Sequence, residues 1–150
     1  MANSIKIYTI GFTKKNAKQF FNLIKDAGIR EVYDTRLNNI SQLAGFAKRD
    51  DLAFFLDKVA GVSYRHALNL APSQDILKRY KDGKIDWEEY AKSYIDIIKS
   101  RNVEKLYSAD DLDGACLLCS ESTPHRCHRR LAAEFFRHHL GESGIEIIHL

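Results

Sequence analysis

Two short runs near the carboxyl end of the chain carry the side chains best suited to nucleophilic or acid–base chemistry. Cys119-Ser120-Glu121 sets a thiol and a carboxylate two residues apart, on the same side of an extended segment. Pro124-His125-Arg126-Cys127-His128-Arg129 follows, and no acid interrupts His125 to Arg130. A thiol in the first turns of a helix, among guanidinium groups, leans toward thiolate, the reactive form. Cys127 is therefore expected to be more reactive than Cys119, which closes an apolar run with a carboxylate nearby. Arg126 and Arg129 offer forked donors to a carboxylate or phosphate. The Glu121 carboxylate is expected to accept from Arg129 or from the helix start, stitching strand to helix.

Two other chemistries fit parts of this pattern. Cys116-x-x-Cys119 with Cys127 and His128 supplies four zinc-type ligands. Against zinc, Cys116 and Cys119 differ in strand parity, and neighbouring helical residues diverge by about 100°. A strand-ending cysteine before a helix also resembles an oxyanion-cradling loop. That loop would want small residues turning N–H groups inward, and here it holds Glu121 and Pro124. The sequence thus calls for neither metal nor cofactor.

The elements that must hold these groups alternate in type. Ile5 to Ile10 alternates and meets Gly11, a strand ending in a turn. Thr13 can cap a helix to about Ala27, closed by Gly28. Glu31 to Asp34 reads as a second strand. A helix from Asp50 or Asp51 stops at Gly61, and Val62 to His66 is a third strand. Helical spacing from Ser73 breaks at Gly83 and resumes through Trp87, Tyr90 and Tyr94. That aromatic stripe, with Tyr80, reads as core or interface rather than a base-stacking platform. Ala115 to Cys119 is a continuous apolar run, expected as a buried central strand. Thr123-Pro124 looks like a helix start, and Ile145 to His149 like a last strand. The pattern predicts an α/β fold: a single domain over residues 1–150 with a mostly parallel sheet of about five strands.

Ligands of open parallel sheets bind beyond the carboxyl ends of the strands. There the chain places Gly11 and Thr13, then Asp34 and Arg36, then Tyr64 and His66, then Cys119 and Glu121, and finally Cys127, His128 and Arg129. These are expected to gather at one edge. Asp34 and Glu121 are the acid–base candidates, Cys119 or Cys127 the nucleophile, and His66 or His128 the proton partner. Arg36 and Arg129 would hold an anion. The best-fitting ligand is a phosphate-bearing small molecule or nucleic acid. The alternative is a non-catalytic binding module with structural cysteines.

Length and composition agree. At 150 residues the chain can bury about 70% of its unfolded surface, so the core needs no metal clip. Net charge is +3, from 23 basic and 20 acidic residues, too mild to name a partner. No apolar run approaches the roughly 20 residues of a membrane helix, and the start lacks a signal-peptide layout, which points to the cytoplasm. Three cysteines cannot all pair within the chain, and free or reactive thiols are expected over a disulfide framework.

The motif set resembles the family known as domain of unknown function 488. The resemblance rests on Thr9-Ile10-Gly11, on Asp34-Thr35-Arg36 with Ser41 and Phe46, and on Tyr64-Arg65-His66 with Leu70. It continues through Cys119-Ser120-Glu121 and Pro124-His125-Arg126-Cys127-His128-Arg129. Two positions depart from the family pattern: Thr35 stands where a valine is usual, and Asn39 where a proline is. The resemblance implies an α/β fold and one shared site that includes Ser41 among its ligand-binding positions. It implies no particular reaction.

Overall fold

The computed structural model describes residues 5–40, 45–121, 123–141 and 144–150. Five strands form one parallel sheet: β1 (Ile5–Gly11), β2 (Glu31–Asp34), β3 (Ser63–His66), β4 (Ala115–Cys119) and β5 (Ile145–His149), in the order β3-β2-β4-β1-β5. The single α/β domain and its five-stranded sheet are as the alternation of patterns predicts.

Helices cover both faces. α1 (Ala17–Asp26) and α2 (Arg49–Phe55), the latter continued by a π-helical turn over Leu56–Ala60, lie on one side. There Phe20, Ile24, Leu52 and Leu56 pack with Ile10, Val32, Cys116 and Leu118. On the other face lie α3 (Gln74–Lys81), α4 (Trp87–Ser100), the short α5 (Val103–Leu106) and α6 (Ala109–Leu112), and α7 (His128–Leu140). Tyr94, Ile98, Ala132 and Phe136 pack there with Ile7, Tyr33 and Leu117. The β4 residues alternate between the two cores. Cys116 faces α1 and α2, away from Cys119, as strand parity requires.

Two helix starts differ from expectation. α1 is capped by Asn16, whose side chain accepts from the Gln19 N–H while the Gln19 side chain accepts from Asn16 N–H. Thr13 instead enters a tight turn in which Lys14 takes the left-handed φ of 64°. The last long helix starts at His128, four residues after Pro124. Cys127 is its N-cap and is extended, with φ −138° and ψ 138°.

Topology makes the crevice. The chain leaves β2 toward the α2 face and leaves its neighbour β4 toward the α7 face. Adjacent strands whose exits diverge open a gap at their carboxyl ends, the usual ligand position in such sheets.

Candidate functional site

The gap is a cavity of about 190 Å3. Arg36, Leu37 and Asn38 line it after β2, Cys119 to Glu121 after β4, and Arg126 to His128 at the start of α7. Tyr80, Trp87 and Tyr90 form the opposite wall. Trp87 stacks on Tyr90 with ring centres 5.5 Å apart, and Tyr80 lies 4.8 Å from Tyr90. The aromatic stripe belongs to the core, as its spacing predicts: Tyr90 and Tyr94 are buried in it and Tyr80 and Trp87 pack against it, while Tyr80, Trp87 and Tyr90 also border the cavity.

Asp34 is wholly buried and fully engaged. Its Oδ1 accepts from the Arg36 backbone N–H at 3.1 Å and from Arg36 Nε at 2.8 Å. Its Oδ2 accepts from Arg36 Nη2 at 2.8 Å and from the Tyr64 hydroxyl at 2.5 Å. The Tyr64 oxygen in turn accepts from Asn39 Nδ2 at 3.0 Å. Burial, then the bond to Asp34, pushes the Tyr64 hydroxyl pKa up. His66 Nε2 donates to the Arg36 carbonyl at 2.7 Å, which identifies the protonated ring nitrogen, since a carbonyl can only accept. Asp34, Tyr64 and His66 thus form a clamp on Arg36. The guanidinium stacks over Phe12 at 5.2 Å and keeps one nitrogen, Nη1, buried and without a described partner. Since Arg36 lines the cavity, the clamp presents a cation there.

The two departures from the family pattern both contribute ties. The Thr35 hydroxyl donates to the Leu118 carbonyl at 2.7 Å, and the Thr35 backbone N–H donates to the same oxygen. His128 Nε2 donates to the Thr35 carbonyl at 2.8 Å and lies 3.0 Å from its hydroxyl oxygen. A valine would provide no hydroxyl. His128 packs on Tyr94, and burial lowers its pKa to about 4 against the bond to Thr35, so it is neutral. Asn39 supplies the donor to Tyr64, which a proline side chain could not.

Three expectations about the cysteine runs are corrected. Cys119 and Cys127 are joined by a disulfide, where free thiols were expected; the end of β4 and the N-cap of α7 meet at the cavity wall. Cys116 remains free, with burial pushing its thiol pKa up. Next, the guanidinium that donates to a sulfur meets Cys119: Arg129 Nη1 donates to Cys119 Sγ at 3.1 Å. Finally, it is the Glu121 backbone carbonyl, not its carboxylate, that accepts from Arg129 Nη1, at 2.6 Å. Glu121 itself is exposed.

Arg129 is fully buried, and its Nε and Nη2 have no described partner. Burial lowers its pKa to about 10, leaving it cationic near neutrality. Gly11 makes room for it. A Cβ on Gly11 would overlap the Glu121 carbonyl oxygen and come within 2.7 Å of Arg129 Nη1. Gly11 and Thr13 do not line the cavity: Thr13 is exposed, and its backbone N–H donates to the Ser120 carbonyl at 3.0 Å. Ser41 lies outside the described residues. No three His, Cys, Asp or Glu side chains converge as metal ligands among the described residues, and no described helix is long and apolar enough to cross a membrane.

The cavity therefore offers cations at Arg36 and Arg126, the N-terminus of a 13-residue helix with no acid in its first turn, and an aromatic wall. Thr35, Asn39 and the Tyr80–Trp87–Tyr90 wall were not singled out as site residues. Only the helical spacing of the aromatics hinted at a shared surface. A family model described as Domain of unknown function DUF488 matches residues 16–136. No curated protein and no solved structure matches the chain.

Proposed function

The chain belongs to the family described as Domain of unknown function DUF488, and on that premise we propose that its cavity binds a phosphate-bearing ligand of the nucleotide class. The observation that carries this is the Arg36 guanidinium. It is held rigidly by Asp34, borders the cavity, and keeps Nη1 buried and without a partner among the described residues. A buried donor without a partner is costly, and an anion in the cavity would relieve that cost. Arg126 and the start of α7 add positive potential around the same space. The aromatic wall is suited to a planar base.

The cytoplasm remains the proposed setting. A single mononucleotide asks less of this space of about 190 Å3 than a nucleic-acid strand, which becomes an outcome of the test. An enzyme-like reading would use a reduced Cys119 or Cys127 as nucleophile and Glu121 as acid–base group, since Asp34 is fully occupied. The disulfide favours the second reading, a binding module, because the bonded pair leaves no free thiol at the cavity.

Trp87 is the one tryptophan of the chain, so its fluorescence reports on the aromatic wall. Nucleoside mono- and diphosphates, the matching nucleosides, inorganic phosphate and a short single-stranded RNA are titrated in turn. Saturable quenching by nucleotides, weak or absent with nucleosides and lost in Arg36→Met, is the expected result. Equal responses to nucleotide and nucleoside, or none to any ligand, would remove the proposal. Tighter response to RNA would reassign the ligand to a strand.

A further inference from the structure

The sulfur pair and the buried cation beside it carry an inference that does not depend on the ligand. Arg129 is fully buried and makes no ion pair among the described residues. Among the described residues its one engaged nitrogen is Nη1, which donates to Cys119 Sγ and to the Glu121 carbonyl, both neutral acceptors in the disulfide form. A guanidinium out of water calls for a counter-charge. One electron pair placed on Cys119 would supply it at 3.1 Å.

We propose that Cys119 and Cys127 form a thiol–disulfide exchange centre whose reduced form keeps Cys119 as a thiolate paired with Arg129. The reductant is an external dithiol. One of its sulfurs, after losing its proton, attacks Cys127 Sγ. The S–S bond breaks, its electron pair leaves on Cys119, and a mixed disulfide joins Cys127 to the reductant. The second external thiol loses its proton and attacks the reductant's sulfur in that mixed disulfide. Cys127 leaves as thiolate and takes up a proton. Two electrons have passed to the protein, the dithiol has become a disulfide, and one proton has gone to solvent.

The direction of attack follows from the leaving group. The sulfur with the lower thiol pKa departs faster. Cys127 sits at the N-cap of α7 and feels roughly half a positive charge there. Cys119 is in direct contact with a whole one. The other charged groups facing the pair agree: Arg36, Lys81 and Arg126 border the cavity against Glu121, and His128 is neutral. Cys116 takes no part, being fully buried on the opposite face of the sheet.

The test uses the full chain. In the reduced protein, ultraviolet thiolate absorbance is followed against pH in Cys127→Ser, which reports Cys119, and in Cys119→Ser, which reports Cys127. Cys119 should titrate at least about one pH unit below the ordinary thiol value of about 8.5, and below Cys127. Arg129→Met should raise it. Because that variant removes a buried side chain, the comparison of the two cysteines with Arg129 intact decides by itself. Cys127 titrating below Cys119, or Cys119 at or above about 8.5, overturns the assignment. Equilibration of the wild-type chain with dithiothreitol redox buffers, read by mass mapping, should show a two-electron Cys119–Cys127 couple that is reversible in the folded state. A bond that never forms, or is reduced only on unfolding, overturns the exchange centre. Trp87 quenching by nucleotide, recorded separately in oxidised and reduced wild type, reads the ligand site alone, so either proposal can fail without the other.

Discussion

Single residues at the strand ends are set by contact rather than by type. Gly11 is the clearest case, because the atom that a Cβ would meet is a backbone carbonyl that cannot swing away. Gly11→Ala should destabilise by about 2–3 kcal/mol through overpacking, read as a lower denaturation midpoint. It should also displace Arg129, whose Nη1 shares the same space. Glu121 behaves in the opposite way. Its backbone carbonyl holds Arg129 while its side chain is exposed, so Glu121→Gln should change the midpoint by no more than about 0.5 kcal/mol. A loss of 1 kcal/mol or more would mean that the carboxylate itself ties the strand to the helix. Asp34 shows why residue type alone misleads: four hydrogen bonds make this carboxylate a positioning group for Arg36.

At the scale of elements, caps decide where side chains point. α1 begins at a reciprocal box between Asn16 and Gln19, and its buried face of Phe20, Phe21 and Ile24 supports β1 and β4. Asn16→Ala should cost about 1 kcal/mol, measured by equilibrium unfolding, whereas Thr13→Ala should cost far less because its side chain caps nothing. The start of α7 is the other decisive boundary. With Cys127 as N-cap, the first turn holds His128 and Arg129, and these reach Thr35 and Cys119 respectively. Had the helix begun at Pro124, as its residues suggest, the same side chains would stand a turn further along the axis. The disulfide and the extended backbone at Cys127 accompany the later start.

For the molecule as a whole, buried ionisable groups couple folding to pH. His128 bridges β2 and α7 as a neutral ring, with a folded pKa of about 4 against an ordinary 6.5. Between those values the unfolded chain binds more protons than the folded one, so stability falls with falling pH. The contribution is complete above about pH 6.5 and is lost as pH drops toward 4, with a slope of up to about 1.4 kcal/mol per pH unit. His149, accepting or donating to the Thr9 hydroxyl at 2.6 Å, is pulled the same way by burial and then by Arg129. Midpoints measured from pH 7.5 to 4.5 should decline, and His128→Gln should flatten the curve. An unchanged midpoint across that range would show that His128 takes up its proton as readily in the folded as in the unfolded chain.

The alternation of apolar strands and amphipathic helices by itself determined the layered architecture and the strand ends, because burial on two faces leaves few other arrangements for such a pattern. Parity along β4 was equally legible: Cys116 and Cys119 face opposite sides whatever the neighbours do. Local chemistry could also name Asp34, Arg36, Tyr64 and His66 as a set, but not their division of labour. That division depends on the pairing of β2 with β3, which puts Tyr64 opposite Val32 and His66 opposite Asp34 across 30 or more residues of chain. The Cys119–Cys127 bond, the turn of Arg129 toward Cys119, and the meeting of the α3–α4 aromatics with the ends of β2 and β4 were decided by tertiary structure alone. Each joins groups whose approach is set by how helices seat on a twisted sheet. A one-dimensional pattern records the period and polarity of an element, and not its rotation against the next.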